Sequence, residues 1–319
     1  MKAAIVAEAG KPPVYGDFPD PTPVSGEVPI SVQAAALSNL AKGRAAGTHY
    51  SASSPLPFVV GVDGVGRLED GRRVYFALPR APYGSMSEKT VIRPAQCTPV
   101  PDGLDDVTAA AIVNPGMSSW AALKERARMV PGENVLVNGA TGTAGRLAVQ
   151  IAKYRGAKRV VATGRNATSL NEVGALGADA TIPIGNDLGA FENAVVEEFR
   201  GGGIDVVLDY LWGPSAERII GGWAKAGKGA APMRFVQVGS VSAPSITLPS
   251  ADLRATGLTI LGSGLGSVPM DRLAIVLREV LEATGPGGFK IATRVVPLSQ
   301  VASVWTLPEA VPRIVFQIP

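Results

Sequence analysis

The spacing of hydrophobic and polar residues changes partway along the chain. Residues 1–113 hold short apolar runs separated by turn signals, as at 28–33, 59–66 and 73–77. Six prolines between positions 12 and 29 exclude long helices from the start of this part. The pattern predicts a loop-rich, mainly antiparallel β domain.

From about residue 117 onward, strand patterns alternate with helix patterns. Strands are predicted at 134–138, 158–162, 181–183, 204–209, 234–239 and 258–262. Helices are predicted at 143–154, at 169–176 before a capping Gly177, after an N-capping Asp187, between Pro214 and Gly227, and around 273–281. Such alternation is typical of a doubly wound parallel sheet, so the predicted fold class is α/β.

The C-terminal segment changes pattern again. Strand-like runs at 291–296 and 313–318 follow a Pro-Gly-Gly turn at 286–288, and we expect this segment to return to the first domain. The predicted domains are therefore 1–113, 114–284 for cofactor binding, and 285–319 as part of the first.

Composition narrows the possible chemistry. Apolar residues make up 46% of the 319 residues, which excludes a disordered chain. The single cysteine, Cys97, and the single histidine, His49, exclude an internal disulfide, a Cys-rich zinc site and most Ser-His or Cys-His catalytic pairs. We therefore expect no metal.

The net charge and the length of the apolar runs limit the possible partners and the location of the protein. The net charge is +3 and the basic residues are scattered, so we expect no nucleic-acid partner. No run of 18 apolar residues and no signal-peptide core occurs, so we expect no membrane partner and a cytoplasmic protein.

The most informative stretch runs from 134 to 150 and reads Asn-Val-Leu-Val-Asn-Gly-Ala-Thr-Gly-Thr-Ala-Gly-Arg-Leu-Ala-Val-Gln. It places Ala140, Gly142 and Gly145 at the spacing of the dinucleotide-binding fingerprint, with alanine at the first glycine position. Gly142 would let backbone approach a pyrophosphate at the helix N-terminus, and Gly145 would let the helix pack on the strand. An ordinary tight turn is the alternative, which the strand–loop–helix context disfavours.

The end of the second strand predicts which dinucleotide binds. NAD-binding proteins place an acidic residue about 20 residues after the fingerprint. Gly164 lies 19 residues after Gly145 and carries no acid, and Arg165 follows it. Because a guanidinium pairs with a 2′-phosphate, this favours NADPH over NADH, with a solvated loop charge as the alternative role for Arg165.

Segments along nearly the whole chain resemble one family. Residues 1–6 resemble its opening strand, 36–39 the segment with its substrate-site asparagine, and 47–50 its Gly-x-x-Tyr region. Residues 57–66 are similar to its Pro-x-x-x-Gly-x-Asp/Glu-x-x-Gly stretch, 114–120 to the start of the helix entering the cofactor domain, and 236–240 and 261–264 to two strand ends. The family is the medium-chain dehydrogenase/reductase superfamily, in its zinc-free quinone oxidoreductase branch.

The resemblance implies a GroES-like N-terminal domain, a Rossmann domain, and a homodimer formed through the last Rossmann strand at 258–261. Zinc-dependent members use Cys and His ligands, whereas this chain has Ser38 and Asn39 in that region and no cysteine cluster. Fingerprint and resemblance together give the expected cofactor-binding residues, which are Asn114, Ala140, Thr141, Gly142, Thr143, Ala144, Gly145, Gly164, Arg165, Asn166, Val238, Gly239, Ser240, Gly262 and Ser263.

The expected reaction is hydride transfer from NADPH to a small-molecule quinone or α,β-unsaturated carbonyl. Negative charge develops on the acceptor oxygen, where a neutral hydrogen-bond donor stabilises it and water supplies the proton. Asn39 and Tyr50 are the candidate catalytic donors, with a turn cap and wall packing as their respective alternatives. An enoyl-thioester reductase, or an NADPH-binding sensor or structural protein with little turnover, remain open alternatives.

Overall fold

The computed structural model describes residues 1–52, 54–227, 231–307 and 312–319. The chain divides into two compact units. Unit 1 comprises Met1–Asn114 and Ala274–Pro319, and unit 2 comprises Pro115–Leu273.

Short strands and helices make up both units. The strands, in chain order, are β1 (Lys2–Val6), β2 (Val14–Asp17), β3 (Val28–Ala36), β4 (Phe58–Val59), β5 (Asp63–Arg67), β6 (Arg73–Ala77), β7 (Lys89–Ile92), β8 (Cys97–Pro99), β9 (Asn134–Asn138), β10 (Arg159–Gly164), β11 (Ala180–Pro183), β12 (Val206–Asp209), β13 (Pro232–Gln237), β14 (Gly257–Gly262), β15 (Thr293–Pro297) and β16 (Arg313–Gln317). The helices are α1 (Asn39–Ala45), α2 (Asp106–Ala121), α3 (Thr143–Tyr154), α4 (Ala167–Gly174), α5 (Leu188–Gly201), α6 (Gly213–Lys225), α7 (Ser250–Arg254), α8 (Met270–Thr284) and α9 (Val301–Trp305).

Unit 1 is built mainly from antiparallel strands. Among its described residues, one sheet has the strand order β2-β1-β4, and a larger one has the order β15-β16-β3-β5-β6-β8, with β7 also paired to β3. β16 pairs antiparallel with β3, which places Val315 opposite Ala36. The C-terminal strand is therefore part of the sheet that the N-terminal residues form.

Buried and exposed residues alternate along part of β3, a central strand of unit 1. In β3, Ile30, Val32 and Ala34 are buried, whereas Ser31 is exposed between them. Successive side chains of a strand point to opposite faces, so one face of β3 packs into the core up to Val32, whereas from Ala34 to Ala36 both faces are buried.

Unit 2 contains a parallel sheet. Its described strands have the order β11-β10-β9-β12-β13-β14, and every neighbouring pair is parallel. Renumbered within the unit, this is the order 3-2-1-4-5-6 of a dinucleotide-binding fold, in which ligands bind outside the carboxyl ends of the strands where the order reverses. The predicted α/β class, a doubly wound Rossmann sheet together with a mainly antiparallel β unit, is confirmed.

Two predicted helices have other bounds in the structure. The segment 114–120 was expected to start a helix, but α2 begins at Asp106 and contains Pro115 in its interior. The Asp105 carboxylate accepts from the Thr108 N–H at 2.8 Å and caps the helix eight residues earlier than the resemblance indicated. The prediction of 169–176 was also wrong at both ends, because Asn166 caps α4 and Ala175, rather than Gly177, closes it.

The helices are short or interrupted by polar residues. In the described part of the chain, no helix combines the length and the apolar character that a membrane span requires.

Candidate functional site

The loop after β9 turns directly into α3. Gly139 has a φ of +91°, a conformation that favours glycine, and a Cβ there would lie 2.9 Å from Leu211 Cγ. The Ala140 N–H donates to the Thr163 carbonyl at 2.8 Å, which ties the fully buried Ala140 to β10. Alanine at the first fingerprint position is therefore compatible with the turn, because Gly139 supplies the left-handed residue.

The other two fingerprint glycines differ in what surrounds them. A Cβ on Gly145 would lie 2.3 Å from the Gly139 carbonyl oxygen and 2.6 Å from Ala140 Cα. Only glycine lets α3 approach the loop this closely. A Cβ on Gly142, by contrast, would meet no described atom within 4 Å, so the protein itself does not require glycine there. The space above Gly142 is open to a bound group.

That space suits a phosphate. Gly142 is the N-cap of α3, and Thr143, Ala144 and Gly145 form its first turn, whose N–H groups have no acceptor within the helix. Thr143 Oγ1 is buried and has no hydrogen-bond partner among the described residues. A buried hydroxyl without a partner is costly unless a ligand supplies one, so these residues fit the pyrophosphate of a dinucleotide.

The end of β10 lies beside this loop. A Cβ on Gly164 would lie 2.5 Å from Thr141 Cγ2, so glycine is needed for the two segments to meet. Arg165 is exposed and, within the described ranges, has neither a hydrogen-bond nor an ion-pair partner. Asn166 Oδ1 accepts from the Ser169 N–H at 2.9 Å, so that oxygen caps α4.

Arg146 is a contributor that sequence reasoning missed. Its Nε donates to the Thr141 carbonyl at 3.1 Å, and its guanidinium also pairs with Glu172 of α4. The side chain therefore braces the loop from the first turn of α3. The sequence could have indicated this role, because a basic residue immediately after Gly145 lies close to the carbonyl groups of the loop.

A buried polar network lies at the strand ends. Asn138 Nδ2 donates to Asp209 Oδ1 at 2.7 Å and to Ser215 Oγ at 3.0 Å, and Asn138 Oδ1 accepts from Thr163 Oγ1 at 2.7 Å. Burial raises the pKa of Asp209 to about 6, although hydrogen bonds from Asn138 and from the Leu211 and Trp212 N–H groups oppose the rise. The network joins β9, β10 and β12 where the strand order reverses.

The residues that follow β13 and β14 lie at the same carboxyl edge of the unit 2 sheet. The Val238 N–H donates to the Asp209 carbonyl at 2.7 Å, and a Cβ on Gly239 would lie 2.8 Å from the Tyr210 carbonyl oxygen. The Ser263 N–H donates to the Gln237 carbonyl at 2.8 Å.

The other two predicted residues at this edge, Ser240 and Gly262, differ in their surroundings. Ser240 is exposed, and the Gly262 carbonyl accepts from Arg126 Nε at 2.7 Å. Unit 2 thus gathers the predicted residues of 140–145, 164–166, 238–240 and 262–263 at the carboxyl ends of one parallel sheet.

Asn39 and Tyr50 lie in unit 1. Ser38 caps α1 through its Oγ, which accepts from the Ala41 N–H at 3.1 Å, so Asn39 is the first helical residue and its side chain is not the cap. Asn39 is exposed and Tyr50 is 71% exposed. The cap role, which was the alternative for Asn39, is therefore not what the structure shows.

His49 stacks on Tyr50, with 4.2 Å between the ring centroids. Its Nδ1 accepts from the Ser51 N–H at 3.1 Å, which assigns the proton of the neutral ring to Nε2. Burial, followed by the charge of Arg44, lowers the pKa of His49. The ring is therefore neutral near pH 7 and presents an N–H donor beside Tyr50.

Asn114 takes part in a different buried cluster in unit 1. Its Nδ2 donates to Asp63 Oδ1 at 2.9 Å, and the Tyr75 hydroxyl donates to Asp63 Oδ2 at 2.9 Å. Burial raises the pKa of Asp63, while the charge of Arg313 and the two hydrogen bonds oppose this. Asp63 therefore links β5, β6 and α2.

Few of the described side chains could coordinate a zinc ion together. Within the described residues, no three His, Cys, Asp or Glu side chains form a group that could hold a metal ion. Cys97 is half-buried, and burial raises the pKa of its thiol to about 11, which disfavours the thiolate that zinc binds. The residues present do not fit a catalytic zinc.

Comparison with known proteins shows extended similarity. The family model described as zinc-binding dehydrogenase matches residues 144–293. The chain is 30% identical to the probable NADPH-dependent quinone reductase tdiC of Emericella nidulans, over 96% of each chain.

Solved structures agree in fold. A quinone oxidoreductase from Thermus thermophilus, solved alone and with NADPH, is 28% identical with a TM-score of 0.82, covering 99% of this chain and 100% of that one. A mycobacterial quinone oxidoreductase is 22% identical with a TM-score of 0.85 and 99% coverage of both chains, which bears on the fold alone. With a 30% identical relative matched along nearly its whole length, the chain belongs to the quinone oxidoreductase branch of the medium-chain dehydrogenase/reductase superfamily.

Proposed function

We propose that this protein is a zinc-independent, NADPH-dependent oxidoreductase that reduces a quinone or an α,β-unsaturated carbonyl compound. The observation that carries the proposal is the open cradle at Gly142, where glycine is sterically unnecessary for the protein and the neighbouring buried Thr143 hydroxyl has no described partner. The names of the relatives from Emericella nidulans and Thermus thermophilus support NADPH as the cofactor.

Unit 2 residues would hold the cofactor. The first turn of α3 and Thr143 Oγ1 would donate to the pyrophosphate, and Gly145 and Arg146 keep the loop in position to do so. The exposed Arg165 would pair with the 2′-phosphate, which is absent from NADH. No acidic residue stands at 164–166 to accept a free ribose hydroxyl instead.

Unit 1 residues would act on the acceptor. NADPH, when bound, supplies the hydride. The Asn39 amide and the Tyr50 hydroxyl are exposed, neutral donors that would stabilise negative charge on the acceptor oxygen. No base is required, because a quinone or enone gains a proton from water rather than losing one.

The donor set, rather than geometry, supports zinc independence. Hydride transfer to a carbonyl that is already conjugated does not need a Lewis acid when hydrogen-bond donors are present. Cys97 and His49 are single, and neither has a second ligand of its own type elsewhere in the sequence.

The test is an assay of NADPH oxidation with a panel of 1,4-quinones and enones, in parallel with NADH and with a metal chelator. Turnover that prefers NADPH and persists with chelator is the expected result. NADPH binding without turnover of any acceptor would replace the proposal with a sensor or structural role. Turnover restricted to enoyl thioesters would keep the fold and cofactor but change the acceptor.

We also infer a cytoplasmic homodimer that forms through β14. This strand is last in the described order of the unit 2 sheet, so its outer edge offers unpaired backbone groups to a second copy. Light scattering coupled to size exclusion tests the mass, and a proline at Ile260 should convert a dimer to a monomer if the edge is the contact.

A further inference from the structure

A small cavity in unit 1 contains an arginine without a counter-charge. Its volume is about 30 Å³, and its lining includes Arg44 of α1, Ser54, Phe58, Val62 and Leu78. By the usual volume needed for one water, it has room for about two water-sized groups. None of the lining side chains is acidic.

Arg44 differs from three other half-buried arginines. Arg80, Arg146 and Arg159 each pair with a glutamate. In the described part of the chain, the Arg44 guanidinium has neither a hydrogen-bond nor an ion-pair partner, and burial is the cause that lowers its pKa. Removing a charge from water without a partner is unfavourable, so such an arrangement is typical of a site that a ligand completes.

Leu78, which lines the same cavity as Arg44, is held in place by local hydrogen bonds. Leu78 has a φ of +59°, which is rare for a residue other than glycine. Its N–H donates to the Val62 carbonyl at 2.6 Å, and its own carbonyl accepts from Gln96 Nε2 at 3.0 Å. A strained residue that neighbouring contacts retain is more often found at binding sites than elsewhere.

Arg44 is also placed near the candidate catalytic residues of the same unit. It follows Asn39 by five residues on α1, which is about 7.5 Å along a helix axis. Its charge acts on His49, whose ring stacks on Tyr50. A ligand group bound to Arg44 would therefore belong to the same small molecule as a carbonyl bound near Asn39 and Tyr50.

We propose that Arg44 and the Ser54 hydroxyl bind a carboxylate of the substrate. The acceptor is then a quinone or enone whose carboxylate lies about 7.5 Å from its reacting carbonyl. This rests on the proposed function. The planar guanidinium matches a carboxylate in a bidentate pair, and Ser54 offers one further donor. The reaction stays balanced: the hydride of NADPH adds to the β-carbon, a solvent proton adds to the α-carbon, and NADP⁺ and the saturated ketone leave.

The test compares two acceptors that differ only in charge, 4-carboxybenzylideneacetone and its methyl ester. For the unsubstituted protein, kcat/KM should be about tenfold to a hundredfold higher for the carboxylate. Arg44→Met should lower kcat/KM for the carboxylate to the value for the ester, whereas Arg44→Lys should retain part of the preference. Arg278→Met is the matched control, because Arg278 is exposed on α8 and has no described partner.

A second measurement does not depend on turnover. His49 is the single histidine, so its Cε1–H signal in the NMR spectrum is unambiguous. Benzoate bound at Arg44 would offset the arginine charge and raise the pKa of His49 toward its ordinary value, and Arg44→Met should raise that pKa and abolish the benzoate response.

The two proposals fail in different ways. Equal kcat/KM for acid and ester in the unsubstituted protein, or a preference that Arg44→Met leaves intact, would overturn the carboxylate site while the reductase stands. Reduction of neither acceptor and of no member of the quinone and enone panel would refute the reductase, and the benzoate titration would still decide whether Arg44 binds a carboxylate.

Discussion

The loop that opens α3 and the turn that follows α1 are two different kinds of candidate site. The loop is built from backbone, and Gly145 is required there because a Cβ would lie 2.3 Å from the Gly139 carbonyl oxygen. The α1 region presents side chains instead, of which Asn39 and Tyr50 are exposed and Arg44 is half-buried. A change at Gly145 should therefore affect stability together with cofactor binding, whereas changes at the exposed Asn39 and Tyr50 should affect turnover alone.

The largest expected effect tests the α1 side of this comparison. Asn39→Ala combined with Tyr50→Phe removes both proposed donors to the acceptor oxygen, and kcat should fall by about a hundredfold or more. Because both side chains are exposed, the unfolding temperature and the NADPH dissociation constant should not change. Steady-state kinetics, thermal unfolding and an NADPH fluorescence titration measure the three quantities. Unchanged kcat would remove both residues from the chemistry.

The next effect tests the loop. Gly145→Ala places a Cβ against Gly139 and Ala140, and the free energy of unfolding without cofactor should fall by about 3 kcal/mol. Gly142→Ser is the matched control, since its Cβ meets no described atom and serine is a good N-cap. It should keep the stability of the free protein and weaken NADPH binding about tenfold by filling the cradle. Urea unfolding of both variants decides the matter, and equal losses of stability would contradict the distinction.

The third effect concerns the buried network at the strand ends. The pKa of Asp209 is raised to about 6 in the folded protein, so its contribution to stability is present below its unfolded pKa and is lost as the pH rises through about 6. Relative to Asp209→Asn, the unfolding free energy should therefore gain about 2 kcal/mol on going from pH 7 to pH 4. Urea unfolding across that range measures it. Parallel pH profiles for the two proteins would show that Asp209 does not titrate in this window.

The smallest expected effect separates the two dinucleotides. Arg165→Ala should weaken NADPH binding about tenfold by removing its pairing with the 2′-phosphate, and should leave NADH binding unchanged. Arg165 is exposed and has no partner in the described ranges, so stability should be unaffected. Competitive titration gives both constants. A similar loss for both dinucleotides would assign Arg165 a general loop role instead.

Local patterns predicted the elements around the cofactor loop well. The strand Asn134–Asn138 and the helix Thr143–Tyr154 have their predicted bounds, and Asp187 caps α5 as expected. These elements carry strong local signals, namely a continuous apolar run, a glycine-rich turn and a capping carboxylate. The starts of α2 and α4 were misplaced because the caps Asp105 and Asn166 decide where those helices begin.

The candidate site was predicted less completely. The fingerprint identified Gly142 and Gly145, but Arg146, Asp209 and Arg44 were not singled out as site residues. Arg146 and Asp209 act through partners distant in sequence, Glu172 and Asn138 among them. Arg44 becomes a candidate site residue only in the structure, where no acidic side chain lines its cavity.

The sequence by itself determined the alternation of strands and helices in unit 2, the loop that joins β9 to α3, and the absence of an acid beside Arg165. Each depends on residues close together along the chain, where periodicity and turn chemistry act. Only the tertiary structure decided that β12 lies beside β9, that β16 returns to β3, and that Arg44 lines a cavity free of acidic side chains. Burial and pairing depend on which distant segments meet, and no local pattern encodes that.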